Sequence, residues 1–107
     1  MALIRALSGS SGGGGTPTFE EKSITNGSLQ TVQVKTGVVA IESTYATGNQ
    51  AVIEAIIYVI NGQVAHQKSL PSPYMTTCSY DTSTNTASMQ VSLGSVDTQK
   101  LLTYIIE

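Results

Sequence analysis

The chain has 107 residues, of which 40% are hydrophobic and only 11% charged, so it fits one domain with a modest core. Its charge density is less than half the roughly 25% of ordinary soluble domains, and its polarity comes instead from Ser, Thr, Asn and Gln. A net charge of −2 with five dispersed basic residues leaves no patch to neutralise a run of phosphates, which excludes nucleic acid as an expected partner.

The chain opens with a short apolar head, Met1 to Leu7. Leu3, Ile4 and Leu7 with Arg5 are too short a run for a signal h-region, and no stretch approaches the roughly 20 apolar residues that span a bilayer. Neither export by the general pathway nor a membrane partner is expected. Residues Ser8 to Gly15 read SGSSGGGG, a composition without the side chains that offset ordering entropy, and therefore a tether. The expected organisation is an anchor peptide and linker over residues 1–15 and one β domain over 16–107. On that reading Leu3, Ile4 and Leu7 are the partner-binding residues; the plain alternative is an artificial leader.

From Phe19 onward, period-two alternation and β-branched residues outweigh any helical periodicity. Phe19 to Ile24 precedes the turn pair Asn26-Gly27, and Thr31 to Lys35 sets Val32 and Val34 on one face. Val38 to Tyr45 follows Gly37. The most apolar segment is Val52 to Ile60, and Asn61-Gly62 then leads into Gln63 to Ser69, the pattern of a two-residue type I′ hairpin. Pro71 and Pro73 interrupt the sheet. Tyr74 to Tyr80 and Thr86 to Leu93 flank the polar loop Asp81 to Asn85 as a second hairpin. The last element, Lys100 to Glu107, also fits one helical face through Leu101, Leu102, Ile105 and Ile106, with Asp97 as a cap; a strand is the better fit to its neighbours. Eight short strands predict an all-β antiparallel sandwich, jelly-roll-like or immunoglobulin-like.

Val52 to Ile60 is apolar on both faces. Strict alternation places Ile53, Ala55, Ile57 and Val59 on one side and Val52, Glu54, Ile56, Tyr58 and Ile60 on the other. A central strand covered on both sides by its own chain explains this, and so does a second face packed on another subunit. The second explanation makes Val52, Ile56, Tyr58 and Ile60 self-association residues of a homo-oligomer, with a trimer the expected order.

Chemistry is sparse. His66 is the single histidine and reads as a surface residue, because metal sites need convergent ligands. Cys78, the single cysteine, forms no internal disulfide and reads as a small half-buried core residue. Glu20, Glu21, Glu42, Glu54, Asp81 and Asp97 are scattered and read as solvated loop or rim charges. The glycine run lacks the Lys-Ser/Thr ending of a phosphate loop, and Asn26-Gly27-Ser28 is explained by its turn rather than as a glycosylation acceptor. No catalytic, cofactor-binding or metal-binding residue is assigned, no cofactor is expected, and the chain is read as non-enzymatic.

The opening M-A-L-I-R-A-L-S-G-S-S-G-G-G-G resembles the start of short structural proteins of tailed bacteriophages and prophages of gut Firmicutes, in which an apolar head and Gly/Ser tract precede a β-rich domain. The resemblance covers about the first fifteen residues. It implies a multimeric, non-catalytic virion component, such as a head-decoration, head-fibre or tail-associated protein, partnered by other virion proteins. It carries over no functional residue. A host-surface or glycan-binding module is the alternative, with Tyr45, Tyr74 or Tyr80 stacking on sugars. A small hydrolase would need paired acids or a histidine-centred cleft.

Overall fold

A computed structural model describes residues 17–45, 50–69, 75–93 and 98–107. The head, the Gly/Ser tract, Pro71, Pro73, Tyr74 and Asp97 lie outside the described residues. Eight strands follow in order: β1 (Thr18–Ile24), β2 (Gln30–Gln33), β3 (Gly37–Tyr45), β4 (Gln50–Ile60), β5 (Gln63–Ser69), β6 (Met75–Asp81), β7 (Thr86–Ser92) and β8 (Thr98–Ile105). They form a five-stranded sheet, β1-β8-β3-β4-β5, packed on a three-stranded sheet, β2-β7-β6, with all pairs antiparallel. The protein is an all-β sandwich.

Pairing is nested. β1 joins β8 and β2 joins β7, so the chain is rolled up from both ends, as in a jelly roll. The immunoglobulin order pairs the first two strands within one sheet; here β1 and β2 lie in different sheets, joined by the arch at Asn26-Gly27.

Between the sheets, alternate residues interlock as the pleat requires. Val39 and Ile41 of β3, Ala55, Ile57 and Val59 of β4, and Leu101 of β8 meet Ala87, Met89 and Val91 of β7 in one buried cluster. β7 alternates strictly between buried and half-buried positions, so its Ser and Gln residues line the opposite face. The Asn61-Gly62 hairpin forms as its sequence predicts, with φ of +50° and +75°, both in the left-handed region that a type I′ turn demands. Lys100 to Glu107 is a strand through Ile105. Leu101 and Leu102, adjacent in sequence, face opposite sides of the sheet, Leu101 buried in the core and Leu102 half-buried on the outer face.

One expectation fails along β4. A β-bulge inserts an extra residue, since Ile41 pairs with Ala55 but Glu42 pairs with Ile53. The bulge shifts alternation by one residue. Val52 therefore joins Ser43 on the inner side, Ile53 moves to the outer side beside Glu42, and Glu54 turns inward to 4% exposure. Glu54 is thus a buried carboxyl rather than a solvated rim charge, and Tyr45 Oη donates to its Oε1 at 2.5 Å.

Candidate functional site

Residues directly opposite in antiparallel strands share a face, so the register reads out what the five-stranded sheet presents on the side turned away from the core. The first row across it is Phe19, Tyr104, Val38, Tyr58 and His66. The second is Glu21, Leu102, Ala40, Ile56 and Lys68. The third is Ser23, Lys100, Glu42 and Ile53. Apolar and aromatic residues thus fill the middle of two rows, and charge collects at the sides and in the third. There, Lys100 Nζ donates to Glu21 Oε1 at 2.9 Å, which raises the lysine above its ordinary pKa.

This face has a small core of its own. Val38 and Ile106 are buried, with Ile56, Tyr58 and Tyr104 packed half-buried against them. Ile106 is held there because its N–H donates to Thr36 O at 2.9 Å, while the N–H groups of Lys35 and Thr36 donate to Glu107 O. Of the four residues expected in self-association, Ile56 and Tyr58 sit in this cluster. Ile60 shares their side at the strand end and is 41% exposed, and Val52, 40% exposed, lies on the other side of the bulge. Phe19 is 54% exposed. Sequence reasoning missed Val38, Tyr104 and Ile106, because they come from two segments distant from β4 and meet it only through the sheet register. Leu3, Ile4 and Leu7, the expected anchor residues, lie outside the described residues.

Two of the tyrosines assigned to sugar stacking are otherwise occupied. Tyr45 packs against the main core and holds Glu54. Tyr80 also packs there, donating to Val34 O at 2.6 Å, and burial pushes its hydroxyl pKa up. Tyr74 lies outside the described residues. His66 is exposed on an edge strand. Cys78 is half-buried, its Sγ 3.8 Å from the carbonyls of Ile56 and Lys68, and burial pushes its thiol pKa up. A raised thiol pKa means little thiolate at neutral pH, the opposite of an activated nucleophile. Among the described residues, no three His, Cys, Asp or Glu side chains converge to hold a metal, and no helix is long and apolar enough to cross a membrane. The glycan-acceptor triplet at Asn26 serves the fold: Asn26 Nδ2 donates to Leu93 O at 2.6 Å.

A second surface feature lies at one flank. The three-stranded sheet packs over β3 to β5, and all of β1 but Ile24 is exposed. Between β1 and β2 runs a groove of about 330 Å³. Thr18, Glu20 and Lys22 form one wall, and Leu101, Thr103 and Ile105 lie beneath. β2 forms the other wall. It pairs with β7 on one side only, so alternate main-chain N–H and C=O groups of β2 face the groove.

Comparison with known proteins finds no matching family, no matching curated protein and no matching solved structure.

Proposed function

We propose that the chain is a non-catalytic structural subunit of a bacteriophage virion, a head-decoration, head-fibre or tail-associated protein. It self-associates through the outer face of its five-stranded sheet and is attached through its N-terminal segment. The observation that carries this reading is the cluster of Val38, Ile56, Tyr58, Tyr104 and Ile106 on a sheet face that, among the described residues, no other layer covers. Apolar faces of that kind mark association surfaces. Five strands at about 4.8 Å spacing and about 23 Å of strand length give a projected area of roughly 450 Å². That is below the roughly 800 Å² per partner of a standard interface, so association is reversible and concentration-dependent. A trimer placing this face on a shared axis is the proposed order, with the charged third row left at the rim.

Two measurements test this. Light scattering at micromolar concentration should give a multiple of the 11.2 kDa chain mass, falling to one chain on Tyr58→Lys. Particles purified from the source lysate should carry the chain at a fixed copy number. A folded monomer at all concentrations removes the association, and particles free of the chain remove the virion role.

One observation favours a second reading. Phe19, Tyr104, Tyr58 and His66 stand in a single row, a flat aromatic platform suited to stacking on sugar rings. A saccharide that binds the chain and is lost on Tyr58→Ala, with the protein monomeric throughout, would favour a glycan-binding module.

A further inference from the structure

The geometry points to the groove between β1 and β2 as the resting site of the chain's own N-terminal head, added there as an extra strand on the edge of β2. This goes beyond the anchoring role: it gives the same segment a place on its own domain when no partner holds it.

On the inner side of the β1/β8 pair, three successive rows read Thr18 with Ile105, Glu20 with Thr103, and Lys22 with Leu101. The groove therefore offers Ile105, the Glu20 carboxylate and Leu101 at a spacing of two residues, with Lys22 standing beside Leu101. The head reads Leu3-Ile4-Arg5-Ala6-Leu7, so an extended strand presents Leu3, Arg5 and Leu7 on one side at the same spacing. An arrangement centred on Arg5 sets its guanidinium beside Glu20, adding to Lys22 on the same wall, and a leucine over each of Ile105 and Leu101. Among the described residues Glu20 makes no ion pair; the one such pair joins Lys100 to Glu21 on the opposite face.

Direction and reach agree with this. β1 runs from the Ile105 row toward the Gln99 row, and β2 returns the other way after the arch. A strand antiparallel to β2 places Leu3 over Ile105 and Leu7 over Leu101. From Leu7 the chain must then return to Thr18. That path is about 13 Å along the strand and about 10 Å between sheets, or roughly 16 Å. Residues 8–17 form a ten-residue Gly-rich connection with a root-mean-square span of about 17 Å. Effective concentration peaks when a linker's span matches the gap, which favours the chain's own head over that of a second copy. Main-chain bonds to β2 supply affinity and the alternate side chains supply register, as in strand addition generally.

Hydrogen exchange and methyl spectra of the full-length chain test the assignment on purified protein, independently of any particle. The groove-facing amides of β2 should exchange roughly tenfold more slowly than in a full-length Leu3→Asp/Leu7→Asp variant, the protection of a segment docked about nine-tenths of the time. The methyl resonances of Leu101 and Ile105 should shift between the two. Glu20→Arg should abolish the protection, and adding Arg5→Glu to it should restore it. Equal exchange in both chains overturns the proposal. So does protection that rises with protein concentration, which would assign the groove to a neighbouring copy's head.

Discussion

Asn26 takes both main-chain groups of Leu93: its Nδ2 donates to Leu93 O at 2.6 Å, and its Oδ1 accepts from Leu93 N at 3.1 Å. The carboxamide thus does for the end of β7 what a neighbouring strand's peptide would do. The same turn is pinned by Gly27, whose N–H donates to Val91 O and whose carbonyl accepts from Gln90 Nε2. These bonds hold the arch that carries the chain from one sheet to the other.

Asn26→Asp should therefore destabilise the protein by about 1–3 kcal/mol. It removes the donor to Leu93 O and brings a carboxylate against that carbonyl. Urea denaturation checks this, and Asn26→Ala should lower the midpoint by a comparable amount. An unchanged midpoint in both would show that the arch holds without the side chain.

Gly62→Val should cost on the order of 1–3 kcal/mol, because a β-branched residue is strained at the φ of +75° that Gly62 adopts. Space adds to strain, since a Cβ there would sit 2.9 Å from Asn85 Oδ1. Asn85 itself accepts a bond from Tyr80 Oη at 3.1 Å, so the clash reaches the far hairpin. The thermal midpoint reports the loss.

Gly37→Ala should be more damaging than its single methyl suggests. A Cβ at Gly37 would overlap the main-chain oxygen of Tyr104 and stand 3.0 Å from Val34 Cγ2. The obstacle is backbone, so β3 and β8 must part locally; overpacking of this kind costs roughly 1–3 kcal/mol or more. A denaturation midpoint equal to wild type would refute this close approach.

Ser83 donates to Asp81 from both its hydroxyl, at 2.6 Å, and its N–H, at 2.9 Å. The hydroxyl bond is the larger cause of an Asp81 pKa held below the ordinary aspartate range. A carboxyl depressed in the folded state favours folding at neutral pH, and that contribution disappears as pH falls through the lowered pKa. Carbon-detected NMR titration should place Asp81 below the free-aspartate midpoint, and Ser83→Ala should move it back up.

Cys78 should react with iodoacetamide at neutral pH more slowly than a free thiol, because burial raises its pKa. The rate should rise to the free value on unfolding. Fast labelling of the native chain would contradict the packing around Sγ.

Local chemistry made much of the fold legible. The Asn61-Gly62 turn needs only its own two residues, and the alternation of β7 needs only seven. Bulges leave no such trace. Nothing in the composition of β4 says that Glu54 is the extra residue, so strict alternation put Val52 and Ile53 on the wrong sides. The division into two sheets was equally hidden, since the pairing of β1 with β8 depends on residues about eighty positions apart. The apolar excess in Val52 to Ile60 did announce a second apolar face. The residues that share it, Val38, Tyr104 and Ile106, are visible only once the strands are aligned.

Thr18 and Ile105 stand side by side at one end of the β1/β8 pair, and this gives the domain a mechanical grain. Drawn apart from those two points, β1 peels from β8 rung by rung, with the load on a single pair at any moment. Hauled lengthwise along β1, all seven paired positions resist together. A chain held by its five-stranded sheet and pulled at Thr18 along the strand axis is loaded in shear. The same chain pulled by its two ends is loaded as a zipper. Its resistance to force should therefore be set by direction of attachment, even where its thermodynamic stability is unchanged.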